Sequence, residues 1–226
     1  MTRGIFIAGN DCALSRAIET EAVKRVEQFA SAMIPNRLTG APSQQAARGK
    51  NSQEITGRIS LDWNPSSPIS ARTLIIAAEN RLEHIDEAIL ICSPPTVRGA
   101  ASDLSLSDID ILINDHIKGW LYLVKELTVL FSAKKKGSLS LVFHDISGGK
   151  DDTADILGPS ALAAFRALTN GLLAAARGES YITMGFTTTD AGNEAAFAAY
   201  VFKSIDEINK RSNGKLHKYG KFQLFK

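Results

Sequence analysis

From residue 4 onward, short apolar runs of strand length alternate with helix-length amphipathic stretches, and this alternation restricts the chain to a small set of folds. The strand-like runs are "GIFIAG" (4–9), "SAMIP" (31–35), "GRISLDW" (57–63), the apolar part of "IDEAILICSPP" (85–95), "SLSLVFHDI" (138–146), "SYITMGF" (180–186) and "KFQLF" (221–225). Between the first two, Ile18, Ala22, Val23, Val26 and Phe29 recur at three-to-four spacing, the mark of one apolar helix face. Leu74, Ile75, Ala78 and Leu82 mark a second helix. A long helix is expected from about Ser107 to Ala133. Its Ile109, Leu112, Ile113, Ile117, Trp120, Leu121, Val124, Leu127 and Leu130 cover more than one face, so it packs on its own sheet and has apolar surface left for a second subunit. The alanine-rich "GPSALAAFRALTNGLLAAARG" predicts a helix stopped by Gly178, and another helix is expected from Glu194 to about Lys210. Pro94 and Pro95 end the most apolar strand, because proline cannot continue a ladder. Residues 39–56 are small and polar, a loop or short surface helix.

Composition removes several classes. With 226 residues and no internal shift in character, one domain spanning 1–226 is expected. The 26 basic and 24 acidic residues are interspersed, and Lys134, Lys135 and Lys136 read as a solvated helix end; no nucleic-acid partner is expected. Cys12 and Cys92 share no spacing motif, which argues against a disulfide framework or a metal site. The start of the chain has one Arg3 and a short apolar run, too little for a signal peptide or membrane span, so a cytoplasmic protein is expected.

The stretch "GIFIAGNDCALSRAIETEAVKRV" has the layout of a strand, a phosphate-binding loop and a helix. After Gly9, however, the loop holds Asn10, Asp11, Cys12, Ala13, Leu14 and Ser15, with no further glycine. Such a loop needs glycines because its backbone must turn tightly and approach a pyrophosphate with no Cβ in the way. A carboxylate at Asp11, were it to cap the following helix, would occupy the partial positive charge that otherwise attracts phosphate.

The run "ISLDWNPSSPISARTLIIAAENRLEHIDEAILI" (59–91) resembles the middle of the short-chain dehydrogenase/reductase family, and the order and spacing of the other elements extend the resemblance over essentially the whole chain. The resemblance implies a Rossmann-like, doubly wound parallel sheet of about seven strands with helices on both faces. It places Gly9, Ala13 and Ser15 at the three glycines of the family's cofactor loop. Asp62 falls at the adenine-side aspartate, and Arg37 at the basic residue of members that prefer NADP. It also implies subunit contact through helices 107–133 and 160–176, hence a homodimer or a heteromer with an active relative.

The family's chemistry uses asparagine, serine, tyrosine and lysine, with the phenol moving the proton. Aligned through "LTNGLLAAA", the tyrosine falls on Pro159 and the lysine on Ala163; the serine falls on Asp145 or Ile146, and the asparagine on His116 within "NDHIKGW". Proline and alanine cannot transfer a proton, and no Tyr-x-x-x-Lys occurs anywhere in the chain. A different chemistry would need His116, His144 and Asp145 to meet as a base or half of a metal site, with no motif spacing behind it. Two readings follow. One is a non-catalytic binding or assembly subunit with no cofactor or weak NAD(P). The other is a divergent NAD(P)-dependent oxidoreductase using unusual residues.

Overall fold

The computed structural model describes residues 3–34, 37–38, 55–97, 100–145, 155–190, 192–209 and 211–220. Seven strands form one sheet in the order β3-β2-β1-β4-β5-β6-β7, all neighbours parallel. They are β1 (Ile5–Asn10), β2 (Phe29–Ile34), β3 (Arg58–Ser60), β4 (Glu87–Cys92), β5 (Ser138–His144), β6 (Ile182–Thr188) and β7 (Lys215–Tyr219). The helices are α1 (Ala13–Val23), α2 (Pro68–Leu82), α3 (Leu106–Ile111), α4 (Gly119–Lys134), α5 (Leu157–Ala175) and α6 (Glu194–Asp206), with a π-helical segment, Leu112–Lys118, joining α3 to α4.

The central strands are buried on both faces, which is why "IFIAGN" and "EAILIC" read as continuous apolar runs and not as alternating ones. One core joins the sheet to α2, α4 and α5 through Leu74, Ala78, Trp120, Leu127, Phe131 and Phe165. The other joins it to α1 and α6 through Leu14, Ile18, Ala22, Phe197, Val201 and Phe202. After β1 the chain moves outward to β2 and β3 on one side, and from β4 it continues on the other. The gap between β1 and β4 is therefore the topological switch point of the sheet, where the carboxyl ends of strands open a crevice.

Several expected boundaries shift. Phe29 does not extend the α1 face: the helix stops at Val23, and Phe29 opens β2 with its N–H on Gly57 O at 3.0 Å. The "GRISLDW" strand shrinks to three residues, because after Leu61 N–H bonds to Ser31 O the chain turns towards α2. The last helix ends at Asp206, not near 210. The expected strand 221–225 lies outside the described residues, and the seventh strand forms earlier, where Gly185 and Thr187 of β6 pair in register with Leu216 and Lys218. The helix expected over 107–133 runs from Leu106 to Lys134, but its middle widens into a π turn in which Gly119 N–H reaches back to Asn114 O. A Cβ on Gly119 would stand 2.7 Å from Pro65 Cβ, so only glycine lets α4 cross the β3–α2 loop this closely.

Candidate functional site

Asn10, the last residue of β1, sits at the switch point with 5% exposure and ties three elements together. Its Oδ1 accepts the Ser93 N–H just beyond β4 at 2.9 Å, and its Nδ2 lies 3.3 Å from His116 Nδ1 on the π segment. Its carbonyl accepts the Ser15 hydroxyl at 2.6 Å. These partners fix the protonation of His116. Because Asn10 Oδ1 is taken by a backbone donor, the amide nitrogen faces the ring and can only donate, so Nδ1 accepts and the ring proton sits on Nε2. Burial pushes the imidazole down to about 4, opposed by Asp115 and reinforced by Arg37, so the ring is neutral at physiological pH.

The neighbouring Asp115 is fully buried and grips Arg37 from beyond β2: Nε to Oδ2 is 3.0 Å and Nη2 to the same oxygen 2.6 Å, while Nη2 also meets Oδ1. The Arg37 side chain remains 46% exposed. Together the two contacts, Arg37 to Asp115 and Asn10 to His116, run from the β2 and β1 ends to the π segment, across the crevice. A π turn is rare, and one placed at a ligand crevice matches the usual position of such bulges.

The loop after β1 is built around side chains. Cys12 is the N-cap of α1, its sulfur taking the Ser15 N–H at 3.5 Å. Asp11 does not cap the helix; it pairs outward with Arg16 at 3.1 Å. Ala13 opens the helix in an exposed position. Ser15 fills the space over Gly9, where an added Cβ would come within 2.8 Å of its Oγ.

The remaining sequence-derived positions go to separate partners. Asp62 is exposed beyond β3. Asp145 donates its N–H to Thr188 O at 2.8 Å and faces Arg166 of α5 at 3.3 Å. His144 turns to the opposite face of the sheet, 6.1 Å from the Phe197 ring, and burial lowers its pKa against the pull of Glu194. His116, His144 and Asp145 thus form no joint base, and among the described residues no three His, Cys, Asp or Glu side chains gather as a metal site. Pro159 and Ala163 occupy exposed positions one turn apart on α5, whose start is pinned by Gly158 N–H on Asp155 Oδ1 at 3.0 Å. Ile146 lies outside the described residues. Burial drives the Cys92 thiol far up, which removes it as a nucleophile.

Asn10, Ser93 and Asp115 were not singled out from sequence. The signal was present in Asn114-Asp115-His116, three polar residues interrupting a helix that is otherwise apolar nearly all round. No helix among the described residues is long and apolar enough to cross a membrane.

No protein-family model and no curated protein matches the sequence. Solved structures match it closely in shape. The NADH-dependent reductase A1-R′, complexed with NAD, is 13% identical, with a TM-score of 0.71 over 100% of this chain and 98% of its own. ElxO with NADP bound is 12% identical, with a TM-score of 0.72 over 96% of this chain and 97% of its own. A short chain dehydrogenase from Bacillus anthracis is 14% identical, with a TM-score of 0.71 over 96% and 94%. The seven-stranded order, the crevice between β1 and β4 and these full-length matches agree: the fold of this chain is that of the short-chain dehydrogenases/reductases.

Proposed function

We propose that this chain is a non-catalytic protein on the short-chain dehydrogenase/reductase scaffold, a binding or assembly subunit whose cofactor crevice is held shut by its own side chains. The observation that carries the reading is the Arg37–Asp115 pair. The arginine that would meet a ribose phosphate is instead committed through two nitrogens to a fully buried carboxylate. The residues around β1 do not fit a pyrophosphate. Ser15 occupies the space over Gly9, and Asp11 adds a negative charge beside the helix N-terminus where phosphate would need a positive one. A dinucleotide is therefore held weakly or not at all. Pro159 and Ala163 supply neither a phenol nor an amine, so no group stands ready to move the proton of a carbonyl reduction.

Assembly uses the outer faces of α4 and α5. On α4, Ile113 just before it, Leu121 and Val129 are 39%, 49% and 58% exposed. On α5, Ala163, Ala167, Gly171 and Ala174 present small exposed residues that allow close helix approach. We infer a homodimer, or a heteromer with an active relative, through this surface. The two free thiols fit the reducing cytoplasm as its compartment.

The second reading, a divergent NAD(P)-dependent oxidoreductase, is favoured by the NAD and NADP bound in two structures that match the chain along its length. Thermal shift with NADH and NADPH, run beside a ketone-reduction assay, separates the two. The non-catalytic reading expects no shift and no turnover. Stabilisation that grows with ligand concentration, together with turnover that survives repurification, would support the enzyme.

A further inference from the structure

Leu121 stands on the outward stripe of α4 with Lys118 one turn before it and Lys125 one turn after. Lys118 is exposed, and its ammonium meets only the neutral Asn114 Oδ1, at 3.1 Å. The Lys125 side chain is 72% exposed and lies 3.4 Å from Glu126, a contact that solvent keeps weak. Beside this stripe, α4 and the π segment leave an apolar cleft of about 160 Å³ against α5, with Ile117, Leu121, Phe165 and Leu168 in its lining. Across the cleft, α5 presents small residues and one exposed charge, Arg166, which faces Asp145 at 3.3 Å. On α4, the π segment and α5, every exposed charged side chain is thus basic: Lys118, Lys125 and Arg166. The acids of the same elements are Asp115, buried under Arg37, and the half-buried Glu126. Asp110, an exposed acid, belongs to α3, before the π segment.

We propose that the preferred partner of this face is a protein whose helices present an apolar outer face flanked by carboxylates, bound more tightly than a second copy of this chain. Such a partner rests on the assembly role proposed above for α4 and α5, and it favours the heteromer over the homodimer. Apolar area supplies attraction to either partner; the lysines decide between them. A helix laid across Leu121 meets a cation on each side, and a second copy brings cations of its own to the same contact. Like charges pressed together at an interface oppose binding, whereas acids at those positions favour it and exclude the wrong partner. A cavity of about 150 Å³ holds a single six-membered ring, so one leucine or phenylalanine side chain of the partner fills the cleft.

The probe is a copy of this chain with the sign of the stripe reversed, Lys118→Glu with Lys125→Glu, which keeps Leu121, the cleft and α5 unchanged. Fluorescence-detected sedimentation of dye-labelled wild-type chain gives its dissociation constant for unlabelled wild type and for the reversed copy, at low and at physiological salt. Expected is binding to the reversed copy at least tenfold tighter than to wild type, with the advantage shrinking as salt screens the charges. Leu121→Glu in the labelled chain should weaken both. Equal or tighter binding to wild type would overturn the proposal while leaving assembly through α4 and α5 in place. No association with either copy would overturn it together with the assembly role, whereas the non-catalytic reading is decided separately by the cofactor titrations. Circular dichroism checks the fold of each variant. Should the reversed copy fail to fold, Lys118→Gln with Lys125→Gln decides. Freed of the repulsion, it should associate with itself more tightly than wild type does, and an unchanged constant would overturn the proposal.

Discussion

Arg37 reaches from beyond β2 to the buried carboxylate of Asp115 on the π segment, 78 residues later, and meets it in a forked ion pair. A pair of this kind is a weak source of net stability, because desolvating the carboxylate offsets much of the attraction. Removing one partner is another matter. Arg37→Ala leaves Asp115 buried and uncompensated and is expected to cost about 2 kcal/mol, below the ~3–5 of a wholly buried pair because the Arg37 side chain is nearly half exposed. Arg37→Met with Asp115→Leu should recover most of that loss. Urea denaturation checks both; a single variant within about 0.5 kcal/mol of wild type would mean the pair does not form in solution.

His116 gives a pH signature of fixed sign. The folded chain holds its ring neutral down to about 4, whereas the unfolded chain protonates it near the ordinary value of 6.5. The unfolded state therefore takes up the proton first as pH falls. Stability is complete above 6.5, declines through the interval to about 4, and levels off below it, an effect of about 3 kcal/mol at most. His144 and His217, also lowered by burial, act in the same direction. Glu19 and Glu87, raised by burial, act oppositely in the carboxylate range. Comparing wild type with His116→Gln isolates the one residue: the stability difference should shrink as pH drops from 7 to 4. Parallel curves for the two proteins would remove His116 from the account.

Catalysis should not be restored by installing the missing proton carriers. Pro159→Tyr with Ala163→Lys places a phenol and an amine one turn apart on α5. His116 stays locked to Asn10, and Asp145 stays paired with Arg166. Ketone reduction by this double variant is expected to remain at the level of the blank. Clear turnover would show that the rest of the site is intact.

Self-association is expected through α4 and α5. Light scattering of the purified protein should give twice the chain mass, or the mass of one chain where the natural partner is a different relative. Leu121 and Ala167 are both exposed, so Leu121→Glu and Ala167→Glu leave the fold intact and should each break the association. Unchanged assembly in both variants would place the interface elsewhere.

The fold was legible in the sequence because a sheet buried on both faces leaves unbroken apolar runs, and the helices covering it leave spaced ones. "AILIC" and Leu74, Ile75, Ala78, Leu82 could hardly have been read otherwise. Boundaries were less legible where pairing, not propensity, decides them: Phe29 carries a helical spacing yet joins β2 because Gly57 offers its carbonyl. That no Tyr-x-x-x-Lys run occurs was also legible, since it needs only residue identities. What could not be read was the pairing of side chains beyond the strand ends. Arg37 with Asp115, and Asn10 with His116, are far apart in sequence, and Asp115 and His116 sit on a π turn. Asp11 was weighed as a helix cap, but Cys12 takes that place one residue later, leaving Asp11 to Arg16.

Changing the loop should show whether it limits binding. Asp11→Ser removes the negative charge beside the α1 N-terminus without touching Ser15 or Gly9. Any residual affinity for a dinucleotide should rise, by roughly three- to fivefold for a screened charge at a helix end worth up to about 1 kcal/mol. An unchanged or weaker affinity would show that the charge is not what opposes phosphate.

The most direct measurement is isothermal titration of the purified chain with NADPH and with NADH. A crevice shut by Arg37–Asp115 and Asn10–His116, with Ser15 over Gly9, predicts no saturable binding tighter than about 100 μM, equivalent to about 5.5 kcal/mol. A dissociation constant in the low micromolar range, weakened at least tenfold for NADPH by Arg37→Ala, would contradict it and show that Arg37 leaves Asp115 for the cofactor.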